Sequence, residues 1–197
     1  MDLESNTTER RGDWMPTFSG GRFWVLDPRA DEIHIEDLAH HLALECRFGK
    51  TCRTFYSVAQ HCVLASYLVA PENAMWALLH DAAEAYLGDL PRPIKQLPEM
   101  AAYRAAEAAI MLKVCERFGL PAETPADVKV VDEVMLSTEA RDIASSRADI
   151  RTWRLPEPPL AQTIRAWPWE VAEQRFLTRF VALGGVIEPR KEVVTIG

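Results

Sequence analysis

Two imidazoles and two carboxylates set on apolar stretches are the chemically telling residues of this chain. Ser57-Val-Ala-Gln-His61 is followed by Leu78-Leu-His80-Asp81-Ala-Ala-Glu84, then by Gly88-Asp89, and Asp132 lies 51 residues after Asp81. Neutral imidazole nitrogens and ionised carboxylate oxygens suit a borderline or hard divalent cation. Two Asp offset the charge of such an ion, and a water held by it loses its proton near neutral pH, giving a hydroxide nucleophile. Glu84 and Asp89, just beyond the His-Asp pair, are an acidic pair that can run a hydrolysis. Each residue alone has a plainer reading. A single His on an apolar helix is most often a hydrogen-bonded core residue. Asp132 sits among Val130, Val131 and Val134, where a buried acid is costly unless it is paired or binds a cation; Arg141 or Lys129 could be that pair. The joint pattern favours the metal.

These side chains need helices to bring them together. Ser57 is a plausible N-cap for a helix running through Val58, His61, Leu64, Ala65 and Leu68 to Pro71. The next helix is expected from about Asn73 to Leu87, stopped by Gly88, with Pro91 and Pro93 preventing continuation. On it His80 and Glu84 share a face, and Asp81 lies about 100° around. A short loop makes the first helix an antiparallel neighbour of the second. Asp132 comes from a helix started by Thr124 as N-cap with Pro125 at the first helical position, extending to about Ser145. Further helices are expected from Ile35 through Leu38 and Leu42 toward Cys46, from about Pro98 to Phe118, and from Trp169 to about Leu183, the last turning Val171, Phe176, Phe180 and Leu183 inward. Thr17 to Asp27 reads as a short hairpin or extended lead-in around Ser19-Gly-Gly21. Residues 146–168 are Pro-rich and loop-like. The expectation is an all-α domain over 17–183, a compact helical bundle with a short extended N-terminal segment, flanked by a flexible stretch at 1–16 and a tail at 184–197.

The bulk numbers narrow the partners. The chain has 197 residues, is 48% hydrophobic and 26% charged, and carries a formal charge of −7. That balance argues against a nucleic-acid polymer or an anionic membrane as partner, and no apolar run approaches the roughly 18 residues of a membrane span. The start lacks the basic and apolar regions of a signal peptide. Cys46, Cys52, Cys62 and Cys115 form no CxxC and read as reduced thiols of a cytoplasmic protein. Residues 46–71 hold Arg47, Lys50 and Arg53 and no acid. This local positive stretch ends just past His61, and it suits a phosphorylated ligand or is simply a solvated loop.

Ser57-Val-Ala-Gln-His61, the run from Leu78 to Lys95 and Val131-Asp132 resemble the HD-domain metal-dependent phosphohydrolases, above all the branch of bacterial 5′-deoxynucleotidases and phage dATP triphosphohydrolases. The resemblance covers about residues 17 to 183 and is dense from Arg47 to Lys95. It implies an HD-domain fold, one divalent metal ion (Co, Mn, Mg, Fe, Ni or Zn) and a homo-oligomer. It makes His61, His80, Asp81 and Asp132 the ligands, and Glu84 and Asp89 the acids that position or activate water and assist the leaving group. It places Arg47 on the substrate's phosphate or sugar, with Phe48 where the deoxynucleotidases carry Trp. The connection between His61 and His80, 18 residues, is shorter than in those enzymes.

Lys95 follows Pro91-Arg-Pro93, a rigid turn able to aim a cation at a phosphate, and Arg53 is a second candidate; either could equally be a surface charge. Tyr56, Tyr86 and Phe48 could stack a base but more often pack a core. Trp167-Pro-Trp169 reads as core closure, and His34, His40 and His41 as non-ligands. The expected function is hydrolysis of a small nucleotide, with metal-bound hydroxide attacking a phosphorus of a (deoxy)nucleoside 5′-monophosphate. A dATP-type triphosphohydrolase, drawing on cations such as Arg22, Lys50, Arg53, Arg92 and Lys95, and a non-catalytic nucleotide-binding module are the alternatives.

Overall fold

The computed structural model of the chain describes residues 10–144, 153, 155 and 157–188. The chain enters as an antiparallel hairpin of β1 (Met15–Pro16) and β2 (Arg22–Phe23), with Met15 opposite Phe23. The hairpin is as expected, but its first strand lies inside the segment read as flexible. Arg10 is the reason: its guanidinium pairs with Asp27 at 2.6 Å and Glu32 at 2.5 Å and lies over the Trp24 ring. Residues 10–16 are therefore tied to the stretch from Trp24 to Glu32.

α1 (Ile35–Leu44) buries Ile35, Leu38, Ala39, Leu42 and Ala43, the i, i+3, i+4, i+7, i+8 stripe of a helix with one inward face. Cys46, expected to prolong that stripe, lies beyond the helix in a bridge to Ser57. α2 (Val58–Ala65) is the central element. Ser57 caps it as expected, its Oγ accepting the Gln60 N–H at 3.1 Å. Val58 through Val63 are all buried, and the helix packs against α1 and against three helices further along the chain. It stops at Ala65, short of Pro71, because the Ser66 hydroxyl donates to the Val63 carbonyl and the next amides reach back only three residues.

The single helix expected from Asn73 to Leu87 is two: α3 (Ala74–Leu79) and α4 (Glu84–Leu87), with His80 to Ala83 in turns between them. Gly88 ends α4 at φ +77°, a value that favours glycine. Past Pro91 the chain makes a further short helix, α5 (Arg92–Lys95); Pro93 is tolerated because the first turn of a helix has no use for its missing N–H. α6 (Ala101–Phe118) ends on left-handed Gly119. α7 (Ala126–Asp142) starts one residue later than expected, with extended Pro125 as its cap and no bond from Thr124. Asp127 does the capping work instead, accepting from its neighbour Val128 and from Ala70 and Asn73. α8 (Trp169–Ala182) turns Ala172, Phe176 and Phe180 inward; Ala172 takes the inward place expected of Val171, and Leu183 packs half-buried against the core.

The core joins Leu38 and Leu42 of α1, Val58 and Val63 of α2, Leu78 and Leu79 of α3, and Phe176 and Phe180 of α8. Each such side chain, fully buried, contributes about 1.5–3 kcal/mol. Gln60 is buried there without loss, since its amide donates to the Arg165 carbonyl at 2.8 Å and accepts the Trp167 N–H at 2.7 Å. This fastens the approach to α8, so Trp167 closes the core as expected. Among the described residues no helix is long and apolar enough to cross a membrane, and all four cysteines are free thiols. The chain is mostly helical with one small sheet, in agreement with the all-α expectation. Of the loop expected over 146–168, residues 146–152, 154 and 156 lie outside the described residues, and 157–168 hold no helix or strand, as expected.

Candidate metal centre

His61 leaves α2 in the middle of the core and is fully buried. Its Nδ1 meets the Glu139 carboxylate at 2.7 Å. The carboxylate is an acceptor, so Nδ1 carries the proton and Nε2 carries the lone pair. His80 is fixed the same way, with its Nδ1 at 2.7 Å from the Ala77 carbonyl. Ala77 is the carbonyl that an uninterrupted α-helix would give to the Asp81 N–H. The imidazole occupies it, the following amides turn to bonds three residues back, and the helix breaks at the His-Asp pair. The tighter turn stacks residues three apart, which brings Glu84 beneath Asp81.

Both imidazoles thus point bare Nε2 atoms at each other, 3.1 Å apart. Asp81 Oδ2 lies 3.6 Å from the first and 3.3 Å from the second, and Asp132 Oδ1 lies 3.3 Å and 3.8 Å away. Two lone pairs facing one another amid carboxylates repel unless a positive charge sits between them. Ligands about 2.1 Å from one ion stand about 3.0 Å apart in an octahedron and about 3.4 Å apart in a tetrahedron. The separations of 3.1, 3.3 and 3.3 Å fall in that range and those of 3.6 and 3.8 Å lie just above it, and the donors of His61, His80 and Asp81 all lie within 4.8 Å of one another. The donor set therefore fits a divalent cation. Asp132, 36% exposed at its side chain where His61 is wholly buried, marks the open side.

The electrostatics agree. Burial and Arg47 oppose charge on His61, yet Glu139 and Asp132 outweigh them and raise its pKa. His80 is raised well above 6.5, burial being overcome by Asp81, the Cys62 sulfur and Asp132. Asp132 is held far below the usual carboxylate range, the imidazoles overcoming its burial.

Glu139 was not among the residues singled out from sequence. It is fully buried and accepts from His61 Nδ1, from the Tyr56 hydroxyl at 2.8 Å and from Arg47 Nε at 3.1 Å. Burial opposes its ionisation, but Arg47 and His61 keep its pKa low. One signal was available: Glu139 lies seven residues after Asp132, on the same face of a helix. Tyr56 is accordingly a core residue whose hydroxyl serves this carboxylate, and Tyr86 is core as well, stacked on Phe23 at 3.7 Å.

The other expected residues divide into two groups. Glu84 is 8% exposed, and its Oε2 has no hydrogen-bond partner among the described residues. Burial, then Asp81 and Asp89, raise its pKa well above 4.5. Asp89 accepts the Phe48 N–H at 3.2 Å and is raised by burial, against the pull of Arg47. Arg47 is 9% exposed and bridges Asp81, at 3.2 Å, to Glu139. It thereby braces the ligands, a role the expectation of a substrate contact did not include. Two of the expected cations have other partners, although Lys95 remains near enough to Glu84 and Asp81 for their charges to raise its pKa. Lys95 pairs with Glu107 and lies 6.0 Å over the Tyr103 ring. Arg53 donates to the Asp142 carbonyl, and its backbone N–H donates to the Ile143 carbonyl at 3.0 Å; it fastens the loop to the end of α7. That loop is held at both ends by bridges from Cys46 to Ser57 and from Cys52 to Ala144. Between them Phe48, Gly49 and Lys50 form a left-handed turn at φ 57°, 55° and 68°, which costs the two non-glycine residues roughly 1–2 kcal/mol each.

No family model matches the chain. It is 44% identical over 130 residues to the uncharacterized protein YfdR of Escherichia coli (strain K12), covering 66% of this chain and 72% of that protein. It is 38% identical over 165 residues to the uncharacterized protein RCAP_rcc00048 of Rhodobacter capsulatus, covering 76% of this chain and 83% of that one. The chain belongs to their family. Neither name states an activity.

Proposed function

We propose that this chain is a divalent-metal-dependent phosphohydrolase of the HD-domain kind that removes phosphate from (deoxy)nucleoside 5′-monophosphates in the cytoplasm. The observation that carries the reading is the pair of Nε2 lone pairs, 3.1 Å apart, with both Nδ1 atoms already committed and two aspartates beside them. His61, His80, Asp81 and Asp132 would hold the ion. A divalent ion there supplies Lewis acidity toward a phosphoryl oxygen and eases the deprotonation of water.

The protein's own groups supply the rest. Glu139 and the Ala77 carbonyl keep both imidazoles in the ligating tautomer. Arg47 holds Asp81 in place through Nη1 and holds Glu139 through Nε, leaving Nη2 for a phosphate oxygen. Glu84, its pKa raised by burial, is the group to give a proton to the departing nucleoside oxygen, as a raised carboxylic acid suits a general acid. Asp89, on the other side of the Gly88 turn, orients water and anchors Phe48.

The cations favour the monophosphate over a triphosphate. Of the five candidates for a triphosphate tail, three have other contacts: Arg22 lies over the Trp14 ring, Lys95 is paired with Glu107, and Arg53 is bound to the end of α7. Incubating metal-loaded protein with dAMP and with dATP, and separating the products, tests this. Phosphate from dAMP alone is expected. Consumption of dATP alone would replace the reading with a triphosphohydrolase. No turnover of either by a metal-loaded protein would leave a binding module.

A further inference from the structure

We infer that Phe48 and Trp153 form the two walls of an aromatic slot that takes the flat base of the substrate, so that the enzyme selects nucleotides over sugar phosphates by stacking. The inference rests on the phosphohydrolase reading and gives it a substrate class. The two rings stand 6.3 Å apart between centroids, with planes inclined by 23°. That is the far edge of direct aromatic contact. A third ring between them, at about 3.5 Å from each, needs about 7 Å. The walls are near-parallel and stacked on each other, and since the centroid distance is the upper limit of the gap, they part by about 1 Å or more to admit a base.

The placement is not that of core packing. Trp153 is 41% exposed and Phe48 is half-buried, and neither joins the hydrophobic core. Phe48 is instead presented by the left-handed turn between the two bridges. Its N–H is bonded to Asp89 at 3.2 Å, and the guanidinium of Arg47, itself bonded to Asp81, lies 5.7 Å from its ring. The slot thus begins where the metal cluster ends, with the backbone of one residue linking them. Stacking offers every base a π-face, so the slot tolerates all bases and discriminates against ligands that have none.

The test uses the full metal-loaded protein, its Trp153→Ala, Trp153→Tyr and Phe48→Ala variants, and dAMP against deoxyribose 5-phosphate. Loss of one wall is expected to lower kcat/KM for dAMP by about tenfold to a hundredfold and to leave deoxyribose 5-phosphate within about twofold; Tyr at 153 restores most of the dAMP activity. Equal losses on both substrates, or no loss on dAMP, would overturn the slot. A second readout does not depend on turnover: deoxyadenosine, which has no phosphate, quenches tryptophan fluorescence in the wild type and not in Trp153→Ala. Quenching without any phosphatase activity would defeat the phosphohydrolase reading and keep the slot, whereas phosphatase activity without quenching would do the reverse.

Discussion

Two histidine pairs in this molecule sit beside carboxylates, and only one of them turns its second ring nitrogens toward each other. On α1, His41 has both ring nitrogens engaged: Nδ1 meets the Ala85 carbonyl at 2.9 Å, and Nε2 accepts the Phe18 N–H at 3.2 Å. His40 pairs with Glu173 and stacks on Phe18 at 3.7 Å. These rings hold the N-terminal segment against α1, α4 and α8. His61 and His80 are more deeply buried, yet each spends only one nitrogen on the protein and aims the other at its partner. Burial alone does not make an imidazole a ligand. An imidazole serves as a ligand when its hydrogen bonding is incomplete and its free nitrogen faces charge of the right sign.

The largest effect should come from destroying the site of that facing pair. Asp81→Ala is expected to remove bound metal and activity together. His41→Ala should keep full metal stoichiometry, measured by elemental analysis, and cost about 1–3 kcal/mol of stability through its two lost hydrogen bonds. Metal loss in the His41 variant with its fold intact would erase the distinction between the pairs.

Glu84→Gln separates holding from reacting. It is expected to retain metal and to lower kcat by about 10²-fold or more, with the limb of the pH profile assigned to the acid abolished. Unchanged kinetics would remove Glu84 from the reaction.

Glu139→Gln probes the nitrogen on the far side of the ring. Metal affinity should fall about tenfold to a hundredfold, because an amide can no longer supply the ionic acceptor that holds the tautomer; isothermal titration measures it.

The smallest effect concerns pH. Both imidazoles have pKa values raised above 6.5 in the metal-free fold. Their contribution to stability is therefore complete below the unfolded value and is lost as pH rises through the folded ones. The metal-free protein should lose stability above about pH 6.5, and metal, competing with those protons, should raise Tm progressively more as pH increases. A metal-induced Tm rise that shrinks with pH would reverse this account.

Much of the frame could be read from residue order. The apolar stripes of α1 and α8, the Ser57 cap, and the glycine stops at Gly88 and Gly119 follow from local rules, and each element lies close to where those rules place it. The break between α3 and α4 could not be read this way. The run from Ala74 to Leu87 is a good helix by propensity, and only the capture of the Ala77 carbonyl by the His80 ring interrupts it. Lys95 and Arg53 illustrate the same limit. Their charge and position beside a motif are sequence facts, but Glu107 and the Asp142 carbonyl, which claim them, come from other elements.

By itself, the sequence determined which residue types were on hand for metal chemistry and that helices would carry them, because periodicity and capping act over one or two turns. Tertiary structure decided which of those residues meet. His61, His80, Asp81 and Asp132 converge because buried α2 packs against α3 and α7. Glu139 becomes part of the site because that packing leaves its carboxylate in the core, with His61, Tyr56 and Arg47 to satisfy it. A buried charge has to find partners wherever the fold brings them, and in this chain they lie 78, 83 and 92 residues away along the sequence.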